Sequence, residues 1–113
     1  MEIPVPLGDV VDKITILRVK SVKMTSKARL QNVARELKAL ETQWAAHGFE
    51  EPAQTTALEE VNGELWDVED ALRRHEAKAD FGPEFIALAR SVYHLNDRRA
   101  ALKRAINDQL GSE

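Results

Sequence analysis

Two stretches of this chain step through their large apolar residues at alternating intervals of three and four: Leu30, Val33, Leu37, Leu40 and Trp44, then Leu58, Val61, Leu65, Val68 and Leu72. That spacing sets the side chains in one narrow line along an α-helix, the seam of a coiled-coil-like contact, whereas a half-buried strand needs alternation at every second residue. No strand-like alternation of any length occurs elsewhere, so the fold class is all-α. Two matching seams predict an antiparallel pairing of the helices that carry them.

Turn and cap residues divide the chain into four helices. Residues 1–8, with Pro4 and Pro6, read as an extended arm. Asp9 opens a first helix over about residues 9–23, where Val10, Ile14 and Leu17 repeat at helical spacing; apolar residues on more than one face predict that it is sandwiched between neighbours. Thr25-Ser26 offers a cap for a second helix over about 26–47, and Gly48 suits the left-handed residue after it. Segment 48–55 is an exposed loop. Thr56 and Glu59 fit a capping box for a third helix over about 56–78. Pro83 can start a fourth, running to about residue 110, where Gly111 stops it. This last helix is about 42 Å long, more than a compact unit of this size needs. The expectation is four helices in antiparallel hairpins, one domain over residues 1–113, completed as a homodimer.

Charge and composition remove several function classes. Sixteen Lys and Arg against nineteen Asp and Glu leave a formal charge of −3, without the bulk basic charge of a nucleic-acid binder. A charged fraction of 31% fits helices with narrow apolar seams and long solvated flanks. There is no cysteine, hence no disulfide, thiolate nucleophile or Cys-bound metal. The N-terminus lacks the basic and apolar regions of a signal peptide, and no apolar run is long enough to cross a membrane; a cytoplasmic location is expected.

His47, His75 and His94 lie in separate segments, and none follows a Glu at the spacing of carboxylate-bridged bundle sites, so no metal or cofactor is expected. The acidic residues Glu59, Glu60, Glu64, Asp67, Glu69 and Asp70 spread around the third helix instead of sharing the one inward face that a hard cation requires. Phosphate loops and nucleophile elbows are absent. The remaining candidate is a polar group on the third and fourth helices: Trp66, Glu69, Asp70 and Arg73, then Arg90, Tyr93, Asn96, Asp97 and, further along, Lys103; Asn62, Trp66, Glu69, Arg73 and Glu76 lie along one polar stripe beside the apolar seam. In one reading Arg73, Arg90 and Lys103 clamp an anionic ligand against Trp66 or Tyr93. The plainer alternative is an ion-pair ladder, Glu69 to Arg73, with interhelical pairs that set register. Arg99 falls on the apolar line of the fourth helix, where a polar residue ordinarily specifies register or a partner. Asn107 reads as exposed.

Several longer strings carry a resemblance. Leu7-Gly8-Asp9, Asp12-Lys13-Ile14-Thr15-Ile16-Leu17 with Lys20, Leu65-Trp66-Asp67-Val68-Glu69-Asp70 with Arg73 and Glu76, and Phe85-Ile86-Ala87-Leu88-Ala89-Arg90-Ser91-Val92-Tyr93 followed by Asn96-Asp97, Arg99-Ala100, Lys103, Ile106 and Asn107 resemble an uncharacterised bacterial family, catalogued as a domain of unknown function numbered 6165. The match covers nearly the whole chain. It implies a small helical domain, sometimes found beside enzymes of sugar and surface-polysaccharide assembly, and assigns no reaction, ligand or catalytic residue. Members commonly continue past the Gly-Ser with a charged, Tyr-containing stretch; this chain stops at Glu113, so a role carried by that stretch is not expected of it.

Two function classes follow. The favoured one is a non-catalytic helical interaction module that dimerises, with no catalytic residues. Its rival is a small anionic-metabolite binder or enzyme resembling the all-helical chorismate mutases in architecture, with Arg73, Arg90 and Lys103 as anion clamps.

Overall fold

The computed structural model describes residues 6–48 and 51–111. Four helices account for most of them: α1 Leu7–Lys23, α2 Lys27–Ala46, α3 Thr55–Ala77 and α4 Pro83–Leu110, with no strand among the described residues. No helix is long and apolar enough to cross a membrane.

The ends of these helices follow local chemistry. Ser26 caps α2 by accepting from the Arg29 amide at 3.4 Å, and Gly48 lies just beyond the α2 end at φ 76°. Pro83 stands in the first turn of α4, and Gly111 terminates it at φ 69°. At the end of α3 the Asp80 amide donates to the His75 carbonyl at 2.9 Å and the Ala79 amide to that of Glu76 at 3.0 Å. That is a Schellman closure, and it holds Ala79 in the left-handed region at φ 54°, where glycine is the usual occupant.

Two starts differ from the sequence-based expectation. Helix α1 begins at Leu7, two residues before Asp9, because Leu7 and Gly8 are buried and the Asp9 amide already donates to the Pro6 carbonyl at 3.0 Å. The rest of the expected arm, residues 1–5, lies outside the described residues. At α3 the capping box of Thr56 and Glu59 does not form. The turn at Pro52–Gln54 starts the helix at Thr55, with no side-chain cap, and the Glu59 carboxylate lies instead 3.6 Å from Arg18.

Helix α1 is the hub, packed against α2, α3 and α4, while α3 and α4 pack on each other. The three residues between α1 and α2 and the five between α3 and α4 return the chain directly onto the preceding helix, giving two hairpins. The backbone of helix α2 comes close to that of α1 and of no other helix, so the expected pairing of the α2 and α3 seams does not occur. The α2 seam closes on α1, and α1 stands between α2 and the other pair because it carries apolar residues on more than one face, as the sandwiched reading anticipated. One core cluster joins Val11, Leu58 and Ile106 with Trp44, Leu102 and Leu110; a second joins Val61, Leu65 and Leu95 with Val68, Val92 and Leu102. Arg18 ties the α2 side together through Glu41 and Glu51, each at 2.9 Å. The result is elongated, 50 × 33 × 21 Å.

Candidate functional site

The most enclosed polar chemistry lies where α1 crosses α3 and α4. Asp12, 4% exposed, points between those helices, and its Oδ1 accepts from Arg99 Nε at 2.9 Å and from Asn62 Nδ2 at 3.0 Å, while Oδ2 accepts from Arg99 Nη2. Asn62 Nδ2 also donates to Thr15 Oγ1 at 2.9 Å, and that hydroxyl donates to the Asp12 carbonyl at 2.8 Å. One residue from α3 and one from α4 are thus bound to two residues a single turn apart on α1. Burial alone would push the Asp12 carboxyl up, but the hydrogen bonds from Arg99 and Asn62 and the nearby charges of Arg99 and Lys103 outweigh it and hold the group below the usual carboxylate range. A carboxylate so engaged is a poor general base, and its bidentate pairing with Arg99 fixes geometry instead.

One turn closer to the start of α1 the crossing tightens. The Gly8 amide donates to Asn107 Oδ1 at 2.6 Å, and Lys103 Nζ lies 2.7 Å from Asp9 Oδ1. Asn107, expected to be exposed, is half-buried because Gly8 brings the α1 backbone against α4.

An open cleft of about 260 Å³ lies on the α2 side, between Trp44, Arg18 and Thr55, and a second of about 210 Å³ adjoins the Asp12 network. The second is lined by Ile16, Val19 and Lys20 of α1, Asn62, Leu65, Trp66 and Glu69 of α3, and Arg99 of α4. Trp66 and Glu69 are the two candidate residues that meet there. Asp70 pairs with Arg74, and with Arg73 at 3.7 Å, in place of the expected Glu69–Arg73 ladder. Lys103 is engaged with Asp9. Arg90, Tyr93, Asn96 and Asp97 lie exposed along the outer side of α4. Arg73, Arg90 and Lys103 therefore stand in separate surroundings, and none of them lines the cleft beside Trp66.

Sequence reasoning named Gly8, Asp12 and Thr15 only within the strings that carry the resemblance, with no site role, and placed Asn62 only on a polar stripe. The available signal was Arg99: a cation on an apolar seam needs a buried counter-charge, and Asp12 is the acidic residue of the first helix flanked by the buried Val11 and Ile14.

A family model described as "Family of unknown function (DUF6165)" matches residues 1–113. No curated protein and no solved structure matches the chain.

Proposed function

The chain belongs to the DUF6165 family, a family of unknown function, and from its own geometry we propose that it acts as a non-catalytic helical module that associates with a second copy of itself. The observation that carries this is surface. A compact monomer of 12.7 kDa would expose roughly 6,200 Å², and this chain exposes 7511 Å². Its radius of gyration is 16.0 Å, against about 13 Å for a compact domain of this length. The excess, roughly 1,300 Å², exceeds the ~800 Å² that each partner buries in a standard interface. Helix α2 illustrates the same economy of burial: of its twenty residues only Val33 is buried. The polar chemistry at the helix crossing supports the same reading, since the Asp12 carboxylate is taken up by Arg99 and Asn62. Light scattering on the purified chain should give twice the 12.7 kDa chain mass at micromolar concentration; a well-folded monomer at all concentrations would remove the proposal.

A second reading has one observation in its favour. Lys20 makes no ion pair among the described residues, and it lines the same cleft as Trp66 and Arg99. A small anion could be held there, in place of the clamp of Arg73, Arg90 and Lys103. A panel of dicarboxylates, nucleotides and sugar phosphates tests this by thermal shift, since a ligand at a hundred times its dissociation constant adds about 2.7 kcal/mol of stability. The expected result is a hit lost in Lys20→Ala and kept in Arg73→Ala; a panel without a hit rejects the reading.

A further inference from the structure

Helix α4 has two faces. The inner one carries Phe85, Leu88, Val92, Leu95, Arg99, Leu102 and Ile106 against α3 and α1. Directly opposite, at steps of four, three, four and three, run Ile86, Arg90, Tyr93, Asp97 and Ala100, all exposed. Ile86 is 51% and Tyr93 76% exposed. Among the described residues the large exposed hydrophobics are Val22, Phe81, Ile86 and Tyr93, of which Ile86 and Tyr93 lie on this stripe and Phe81 just before α4. By contrast the solvent side of α2 has no large exposed hydrophobic residue. Arg90 and Asp97, both exposed, make no ion pair within the described residues, whereas Lys23 with Asp67 and Asp70 with Arg73 and Arg74 are paired on α1 and α3.

We propose that this outer stripe of α4 is a twofold interface in which α4 packs antiparallel on α4 of a second copy, with Arg90 of each chain paired to Asp97 of the other. This rests on the self-association reading above and names its surface. The commitment to a second copy comes from self-complementarity. With a twofold axis between Tyr93 and His94, residues equally far from that point face each other. Arg90 and Asp97 are equally far from it, so one symmetry operation satisfies both charges twice. Ile86 then falls opposite the small residues Ala100 and Ala101, and the two Tyr93 rings flank the axis, where a large, rigid and partly polar side chain adds most to an interface. A parallel arrangement would set Arg90 on Arg90 and Asp97 on Asp97, so the same charges that favour the antiparallel register exclude the other. A stripe alternating cation, aromatic ring and anion has no net charge to offer an anionic membrane or a nucleic acid.

The test is a charge swap followed by light scattering and sedimentation velocity, with circular dichroism confirming that each variant remains helical. Arg90→Asp and Asp97→Arg each place like charges opposite one another at two symmetric sites, and each should weaken dimerisation roughly tenfold or more. The double variant R90D/D97R restores opposite charges and should return the dimer to within about threefold of the starting affinity. A dimer that neither single variant weakens overturns this interface and leaves self-association standing on another face. Weakening by both without rescue in the double variant overturns the Arg90–Asp97 register. A monomeric starting chain overturns both the interface and the reading on which it rests.

Discussion

Asp12→Ala is expected to lower the melting temperature by roughly 10–15 °C, equivalent to about 3 kcal/mol. The alanine removes the acceptor for two Arg99 bonds and for one of the two that Asn62 Nδ2 donates, and leaves a guanidinium with its side chain 30% exposed without its hydrogen-bonded counter-charge, only the charges of Asp9 and Glu69 remaining near it. Most of the loss comes from that stranded cation, so replacing both partners should cost less than replacing one: Asp12→Leu combined with Arg99→Met is expected to recover more than half of it. The same network sets an acid limit. Because the Asp12 carboxyl is held below its unfolded value, its contribution is fully present above the usual carboxylate range, near pH 4, and fades as pH falls through the folded value. Melting temperature between pH 7 and pH 3 should therefore fall more steeply in the starting protein than in Asp12→Asn. A change below about 2 °C in Asp12→Ala would show that the network adds nothing to stability.

Gly8→Ala should destabilise by about 1–3 kcal/mol, although alanine in a helix interior ordinarily gains close to 1 kcal/mol over glycine. A Cβ at position 8 would overlap the backbone carbonyl oxygen of Lys103 and come within 2.8 Å of Asn107 Oδ1. The carbonyl belongs to the middle of α4 and cannot swing aside, so α1 must lift away from α4 and weaken both the Gly8–Asn107 bond and the Asp9–Lys103 pair. Gly63 is the internal control. It lies within α3, a Cβ there meets nothing within 4 Å, and Gly63→Ala should stabilise by roughly 0.5–1 kcal/mol. Urea unfolding of the two variants should give shifts of opposite sign; shifts of the same sign would mean that the crossing at Gly8 is not as tight as the structure has it.

Helix ends were legible in the chain wherever a single residue type settles the backbone. Ser26 supplies a hydroxyl, Pro83 a preset φ, and Gly48 and Gly111 the left-handed conformation, and none of these depends on what lies across the fold. The capping box at Thr56 was misleading because Glu59 has a competitor, Arg18, that is forty-one positions away in sequence and near in space. The ladder expected at Glu69 and Arg73 gave way to Asp70 with Arg73 and Arg74, since residues at three and four positions apart offer several near-equal pairings and the helix surface chooses among them with little energy at stake. Of the candidate polar residues, Trp66 and Glu69 met at a cleft, whereas Arg90, Tyr93 and Asp97 share an exposed face; which face a residue occupies follows from helical period, but what stands opposite does not.

The repeat of three and four in the apolar residues was enough, by itself, to make this chain all-helical, because no strand can collect that spacing on one side. It also explained the high charged fraction, as narrow seams leave wide solvated flanks. The choice of partner for each seam belonged to the tertiary structure. A line of leucine and valine is equally apolar to any helix, so only the short connections and the apolar residues on several faces of α1 decided that α2 packs on α1 and not on α3. Burial of Asp12 was likewise a tertiary outcome: one carboxylate looks like any other in sequence, until Arg99 and Asn62 arrive from two other helices to make its burial tolerable.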